Sequence, residues 1–211
     1  MAISNYSELQ TAVYNWLVRT GDTDIIERTP EFIALAEAQF TGDIKHRKQE
    51  TQTTITLTGG VESVALPSDY LELRSAVVQS SPKSVLTPVT PNTLALNWSL
   101  GTSGIPSEYA LIGDNLHVGQ LPDAAYGIKI TYYAQVPPLS DDAPTNWLLT
   151  YAIDVYLYGT LMQAAPYLKD TQYIQTWATF YDRAINRLEG DQERSAFGAG
   201  PLVSRVDVTV R

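Results

Sequence analysis

The sequence contains no cysteine and only two histidines, His46 and His117. The first absence excludes a disulfide framework, a thiol nucleophile and every thiolate metal site. The second leaves little material for a histidine-rich metal centre or for a histidine base in a hydrolytic triad. Basic residues are scarce as well: 14 Lys and Arg stand against 23 Asp and Glu, a net charge of −9. A chain this acidic is not built to grip nucleic acid over a broad face, because phosphate binding needs clustered cations. No apolar run approaches the roughly 20 residues that span a bilayer. The opening Met1-Ala2-Ile3-Ser4-Asn5-Tyr6 lacks the basic-then-apolar pattern of a secretory leader. The expectation is a soluble, intracellular, non-redox protein with no membrane association, no cofactor and no metal site.

What is present is a chain of 211 residues, 44% apolar, enough for one sizeable core or two small modules. The charge is uneven. Residues 51–182 hold 4 basic and 11 acidic side chains, whereas residues 183–211 hold 5 and 4, so the body and the tail meet different surroundings or simply share solubility charge. Thirteen tyrosines and four tryptophans exceed what a small core needs, and these are the side chains that interfaces favour.

Periodicity divides the chain. Tyr6, Leu9, Val13, Trp16 and Leu17 fall on one face of a helix over 5–19, with Asn5 or Ser4 as its cap and Gly21 beyond its end. A second helix is expected from Thr29-Pro30-Glu31, with Thr29 as N-cap and Phe32, Leu35, Ala36, Gln39 and Phe40 on its apolar face. The cations Lys45-His46-Arg47-Lys48 fit its negative C-terminal end. From 51 the period becomes two. Thr54 to Thr58 and Val61 to Leu66 read as a hairpin around Gly59-Gly60, followed by a third segment, Tyr70 to Val78. Residues 80–107 read as a long loop with one short helix near Pro91 to Trp98. Glu108 to Ile112, Leu116 to Val118 and Tyr126 to Ala134 read as three antiparallel strands. A helix opened by Pro144-Thr145-Asn146 and broken at Ala164-Ala165-Pro166 precedes a last one, capped by Asp170 and stopping at Gly190.

The expected fold class is therefore α+β: an α-helical bundle of about four helices, a small antiparallel β-domain of hairpins, and an extended C-terminal tail ending in a strand. By segment, 1–50 supplies the first bundle helices, 51–79 a β-hairpin, 80–107 a loop, 108–136 a β-segment, 137–190 a helical hairpin and 191–211 the tail. In that tail Val206, Val208 and Val210 alternate with Arg205, Asp207, Thr209 and Arg211. The pattern is that of a strand without a sequence neighbour to pair with. It folds back on its own sheet or adds to the sheet of another chain.

Catalytic patterns are missing. G-x-S-x-G, G-x-x-x-x-G-K-[ST] and G-x-G-x-x-G do not occur. Gly101-Thr102-Ser103-Gly104 has loop glycines but neither a lysine nor a following helix. Asp141-Asp142 precedes a helix and reads as a capping pair rather than a cation site. Nothing here specifies an enzyme, and the expectation is an assembly component.

From 105 to 190 one order of blocks is informative. Tyr109-Ala110-Leu111-Ile112-Gly113-Asp114-Asn115-Leu116 is followed by Leu121-Pro122-Asp123, Tyr132-Tyr133-Ala134 and Pro137-Pro138-Leu139-Ser140. Then come Pro144-Thr145-Asn146-Trp147-Leu148-Leu149, Asp154 to Gly159 and Ala164 to Asp170. This order resembles the head-to-tail adaptor (connector) proteins of short-tailed phages, and the opening helix pair and first hairpin fit the same pattern more weakly. The resemblance implies a structural virion protein at the portal vertex, assembled in the host cytoplasm, forming a ring of about twelve copies on the portal. The ring extends the DNA channel, through which the genome passes without specific binding, and carries tail nozzle or fibre proteins. Leu202, Val203, Arg205, Val206, Val208, Val210 and Arg211 are the residues expected to dock on the portal or on a neighbouring subunit. Two other readings stay open: a minor tail or capsid-stabilising protein at another symmetric site, and a cell-wall hydrolase module.

Overall fold

A computed structural model describes residues 3–98, 103–169 and 171–196. The chain is mixed α+β and divides into two compact units: residues 1–46 with 136–211, and residues 47–135 between them.

The first unit is helical. It contains α1 (Tyr6–Trp16), α2 (Thr23–Asp43), α4 (Trp147–Tyr151), α5 (Ile153–Tyr167) and α6 (Thr171–Ala196). A reciprocal cap starts α1: Asn5 Oδ1 accepts from the Glu8 N–H at 2.9 Å, and Glu8 Oε2 accepts from the Ser4 N–H at 2.7 Å. Helix α2 begins six residues before the expected Thr29. Pro30 lies inside it and removes one backbone donor, while Thr29 Oγ1 donates to the Ile25 carbonyl at 2.7 Å. Burial decides the matter, because Ile25, Thr29, Phe32, Ile33, Ala36 and Phe40 form a continuous buried stripe across the proline. The interruption that proline threatens is offset by packing on both sides of it.

Helix α5 is the centre of this unit. Val155, Tyr156, Leu157, Gly159, Thr160, Leu161, Ala164 and Ala165 are all buried, so it is apolar on most of its circumference. Helices α1, α2 and α6 pack around it. The single helix expected from 144 is split at Ala152, whose backbone (φ −139°, ψ 69°) ends α4 and starts α5. Helix α6 runs through Gly190 to Ala196 rather than stopping there. A Cβ at Gly190 would meet nothing within 4 Å, so this glycine weakens the helix by about 1 kcal/mol relative to alanine without ending it. The expected cap Asp170 lies outside the described residues.

The second unit is built from sheets. Strands β1 (Glu50–Leu57), β10 (Tyr126–Ala134), β3 (Tyr70–Val78) and β4 (Ser84–Val85) form one sheet in that order, antiparallel throughout. Strands β2 (Ser63–Ala65), β8 (Asn115–Gly119), β7 (Glu108–Ile112) and β5 (Thr87–Pro88) form the other, with β5 parallel to β7. A short parallel pair joins β6 (Ser103–Gly104) to β9 (Leu121–Pro122). The short helix α3 (Pro91–Asn97) falls where the sequence suggests. The two sheets share one core, in which Leu57, Val78, Ile128 and Ile130 meet Tyr109, Leu116 and Val118.

Two hairpins expected from sequence are absent. β1 pairs with β10 (Ile55 opposite Ile128), not with β2, and β10 does not pair with β8. The Gly59-Gly60 corner carries the chain from one sheet to the other. Gly60, at φ +76°, donates its N–H to the Pro122 carbonyl at 2.8 Å, and a Cβ on Gly59 would meet Ala124 at 3.1 Å. β10 takes the middle position because its own side chains are buried on both faces, Ile128, Ile130 and Tyr132 on one and Tyr133 on the other. The hairpin of β7 and β8 around Gly113-Asp114 does form as expected, with Gly113 at φ +57°.

Close approach at α5 yields a test. A Cβ on Gly159 would sit 2.9 Å from Phe40 Cε1 and 3.3 Å from Tyr181 Cε2, whereas one on Gly42 in α2 meets open space. Gly159→Ala should destabilise the protein by about 1–3 kcal/mol, and Gly42→Ala should stabilise it by about 0.5–1 kcal/mol. Thermal unfolding of the two variants reads both signs.

Candidate interaction surfaces

The residues expected to dock, Leu202, Val203, Arg205, Val206, Val208, Val210 and Arg211, lie outside the described residues. The other singled-out side chains take packing or surface positions. His46 is buried, with its ring stacked on Trp147 at 5.5 Å and tilted against Tyr151 at 5.7 Å. It is therefore not part of a solvated basic helix end: α2 stops at Asp43, and Arg47–Gln49 form a separate 3-10 turn. His117 is half-buried within β8, opposite Ala110 and Ser63. Asp141 and Asp142 are exposed and do not cap α4. That role belongs to Asn146, whose Oδ1 accepts from the Leu149 N–H at 2.8 Å. Among the described residues, no three His, Asp or Glu side chains come together as metal ligands.

At one end of the helical unit, an open cleft of about 480 Å³ is lined by Trp16, Val18, Arg19, Leu168, Lys169 and Trp177, among others. Two helices terminate in it. Helix α1 closes with a Schellman pair, the Val18 N–H donating to the Asn15 carbonyl and the Arg19 N–H to the Tyr14 carbonyl, at 3.1 and 2.9 Å. The left-handed position in that motif is normally glycine. Here it is Val18, at φ +54° and 86% exposed. Lys169 holds the equivalent position after α5, at φ +55°. A β-branched residue in this region carries strain on the order of 1–2 kcal/mol. Arg19 and Lys169 place cations where the ends of α1 and α5 are negative.

The cleft wall continues into an aromatic cluster. Trp16, 47% exposed, meets Tyr158 and Trp177 edge-on with centroids 5.9 and 5.8 Å apart. Tyr173 stacks on Trp177, and Phe180 lies 5.3 Å from Tyr158. Sequence periodicity assigns Trp16 to the core face of α1, and the structure instead leaves it half at the surface. Val18 escapes sequence reasoning because nothing in its neighbours announces a left-handed backbone; the one signal is the lack of glycine between Trp16 and Gly21.

The helical unit also holds a buried polar network. Glu37 Oε1 accepts from the Leu139 N–H at 2.8 Å and from the Tyr156 hydroxyl at 3.0 Å. Asn146 Nδ2 donates to the Tyr156 oxygen and to the Pro137 carbonyl. Burial pushes the Glu37 carboxyl above the ordinary glutamate value, against the lowering effect of the two hydrogen bonds it accepts.

In the β unit, among the described residues, the first sheet presents one long open edge. β1 has eight residues, while the other edge strands have two or three: β4 in this sheet and β5 and β2 in the second.

The class these features define is a two-unit α+β protein with an aromatic cleft in its helical unit and a long strand edge in its β unit. A protein-family model, SU10 adaptor protein, matches residues 4–205 and so spans both units. The chain belongs to this family of phage head-to-tail adaptors. Membership implies a structural component of the phage virion at the head-to-tail junction. Comparison with curated proteins finds no match.

Two outcomes follow for the helical unit. Val18→Asn keeps the Schellman geometry with a residue that tolerates the left-handed region, and should raise stability by about 1 kcal/mol in denaturant titration. For Glu37 the ionised form is the one the fold disfavours. Its contribution to stability is fully present below the unfolded value and is lost as pH rises through the raised folded value. Glu37→Gln keeps an acceptor for Leu139 and Tyr156 and should remove that part of the slope, whereas Glu37→Ala should cost about 1–3 kcal/mol by orphaning the Leu139 N–H. Unfolding free energies of the three proteins across pH 4 to 8 read the difference.

Proposed function

We propose that this chain assembles as a ring of about twelve subunits beneath the portal, extends the DNA channel and forms the platform for tail nozzle or fibre proteins. The observation that carries the reading is the family match over residues 4–205. Charge supports it. A ring of subunits each at −9 lines a duct that repels DNA and lets it slide without sticking. The exposed tryptophan and tyrosine of the helical cleft supply the kind of anchors that subunit contacts use.

In this reading the segment with Leu202, Val203, Arg205, Val206, Val208, Val210 and Arg211 is the clamp that holds the ring. Its alternating pattern fits the strand addition by which extended segments join another chain's sheet.

Mass photometry of the full chain, alone and mixed with its cognate portal ring, tests the proposal. The expected result is a protein that adds about a dozen copies to each portal. No addition overturns portal docking. Deletion of Leu202–Arg211 should leave the described fold intact by circular dichroism and abolish stable addition; retained docking would sink the clamp.

A further inference from the structure

The edge of β1 lacks the features that usually protect a sheet edge. Most sheet edges are blunted by shortness, proline, lysine or a bulge, because a long bare edge recruits other strands. β1 has none of these devices: Glu50-Thr51-Gln52-Thr53-Thr54-Ile55-Thr56-Leu57 contains no lysine, proline or glycine. Half of its residues are threonine, which favours extended backbone. Its register with β10 runs from Glu50 opposite Tyr133 to Leu57 opposite Tyr126 without a shift. Among the described residues, no strand pairs with its other side.

Its faces are also distinct. Thr53, Ile55 and Leu57 turn toward the core, and only Leu57 is fully covered, whereas Gln52, Thr54 and Thr56 are exposed. Ile55 packs against the core yet remains half-buried, as the last apolar side chain does on a layer that stops one strand early. The chain carries one segment that would complete the layer. From Val203 to Val210 it matches β1 in length, with Val206, Val208 and Val210 on one face and Arg205, Asp207 and Thr209 on the other. Laid along β1, it places its valines beside Ile55 and its polar side chains beside Gln52, Thr54 and Thr56.

We propose that the β1 edge receives the Leu202–Arg211 segment of a second copy of this chain, extending the sheet by one strand between neighbouring subunits. The proposal deepens the adaptor reading: it names the receptor of the clamp and makes it a neighbouring subunit. Backbone hydrogen bonds supply the attachment, and the two-residue period sets which side chains face which.

The absence of native cysteine makes cross-linking clean. Two full-length populations are mixed under mild oxidation, one carrying Thr54→Cys and the other a single cysteine at 205, 206, 207, 208 or 209. Disulfide dimers are expected with Arg205→Cys, Asp207→Cys or Thr209→Cys and not with Val206→Cys or Val208→Cys. Dimers at all five positions, or at none, overturn strand addition. A disulfide that forms only within one chain carrying both Thr54→Cys and Asp207→Cys, and never between mixed chains, overturns the second copy as occupant.

Hydrogen exchange on the unmodified chain gives an independent reading. Outward amides of Thr51–Thr56 should exchange about tenfold more slowly at tenfold above the dissociation constant, and Val206→Pro/Val208→Pro should abolish that protection. Protection that does not change with concentration overturns the intermolecular strand. Portal binding is scored separately. Cross-links without portal binding would remove the portal reading and leave the edge standing, and portal binding without the alternating cross-links would do the reverse.

Discussion

The helical unit depends on one buried side chain, Tyr156. It is fully buried, its ring meets Phe40 edge-on at 5.0 Å, and its hydroxyl bonds to both Glu37 and Asn146. A tyrosine can serve there because its body is apolar and its tip is not. The ring joins α5 to α2 through packing. The hydroxyl joins the same two helices to the cap of α4, since Asn146 both starts that helix and holds the Pro137 carbonyl. Burial drives the Tyr156 hydroxyl strongly upward in pKa and the nearby Glu37 charge adds to that effect, so the group remains a neutral hydrogen-bonding hydroxyl under all ordinary conditions. A buried polar cluster is costly when only partly satisfied. Here each of its named members has a partner, and the cluster fixes which stretch of α2 faces α5.

That constraint accounts for the behaviour of the helix ends. With α5 held by Tyr156 and by the close approach of Phe40 to Gly159, α1 and α6 can only pack along its remaining sides. Their ends meet where α1 and α5 both stop, and the chain must leave each helix by a left-handed residue. Val18 and Lys169 occupy these positions although neither is suited to them. The strain sits beside exposed Trp16 and Tyr173, which line the same cleft. Strain of this size persists only where surrounding contacts over-determine the backbone. The two Schellman bonds of α1 and the tryptophan cluster supply those contacts.

Local signals in the sequence were legible where a single element could satisfy them. The Asn5 cap, the helix at Pro91 and the β7–β8 hairpin need nothing beyond their neighbours, and each occurs where its residues indicate. The start of α2 was hidden because Pro30 is a strong local stop and the buried stripe from Ile25 to Phe40 is a tertiary fact. The pairing of β1 was hidden for a similar reason. Gly59-Gly60 has the composition of a tight hairpin, yet the partner of β1 lies some seventy positions further along the chain. Period two says which face of a strand is buried and nothing about which strand lies beside it. The surface residues were the least legible, since the exposure of Trp16 follows from where its neighbours end and not from its own periodicity.

The acidity of the chain and the nature of its surfaces belong to one design logic. A strongly negative body resists casual association through self-repulsion, so copies meet only where specific contacts outweigh charge. Among the described residues, the large apolar side chains left at the surface are spread singly over both units, and three of them, Trp16, Val18 and Tyr173, share one cleft. The longest sheet edge carries threonines in place of the lysines that would protect it. Repulsion over most of the surface, with attraction confined to a few sites, favours an ordered assembly over aggregation. This is the balance that a head-to-tail adaptor requires. Affinity that came instead from general apolar exposure would make such a chain stick to itself before it met either partner.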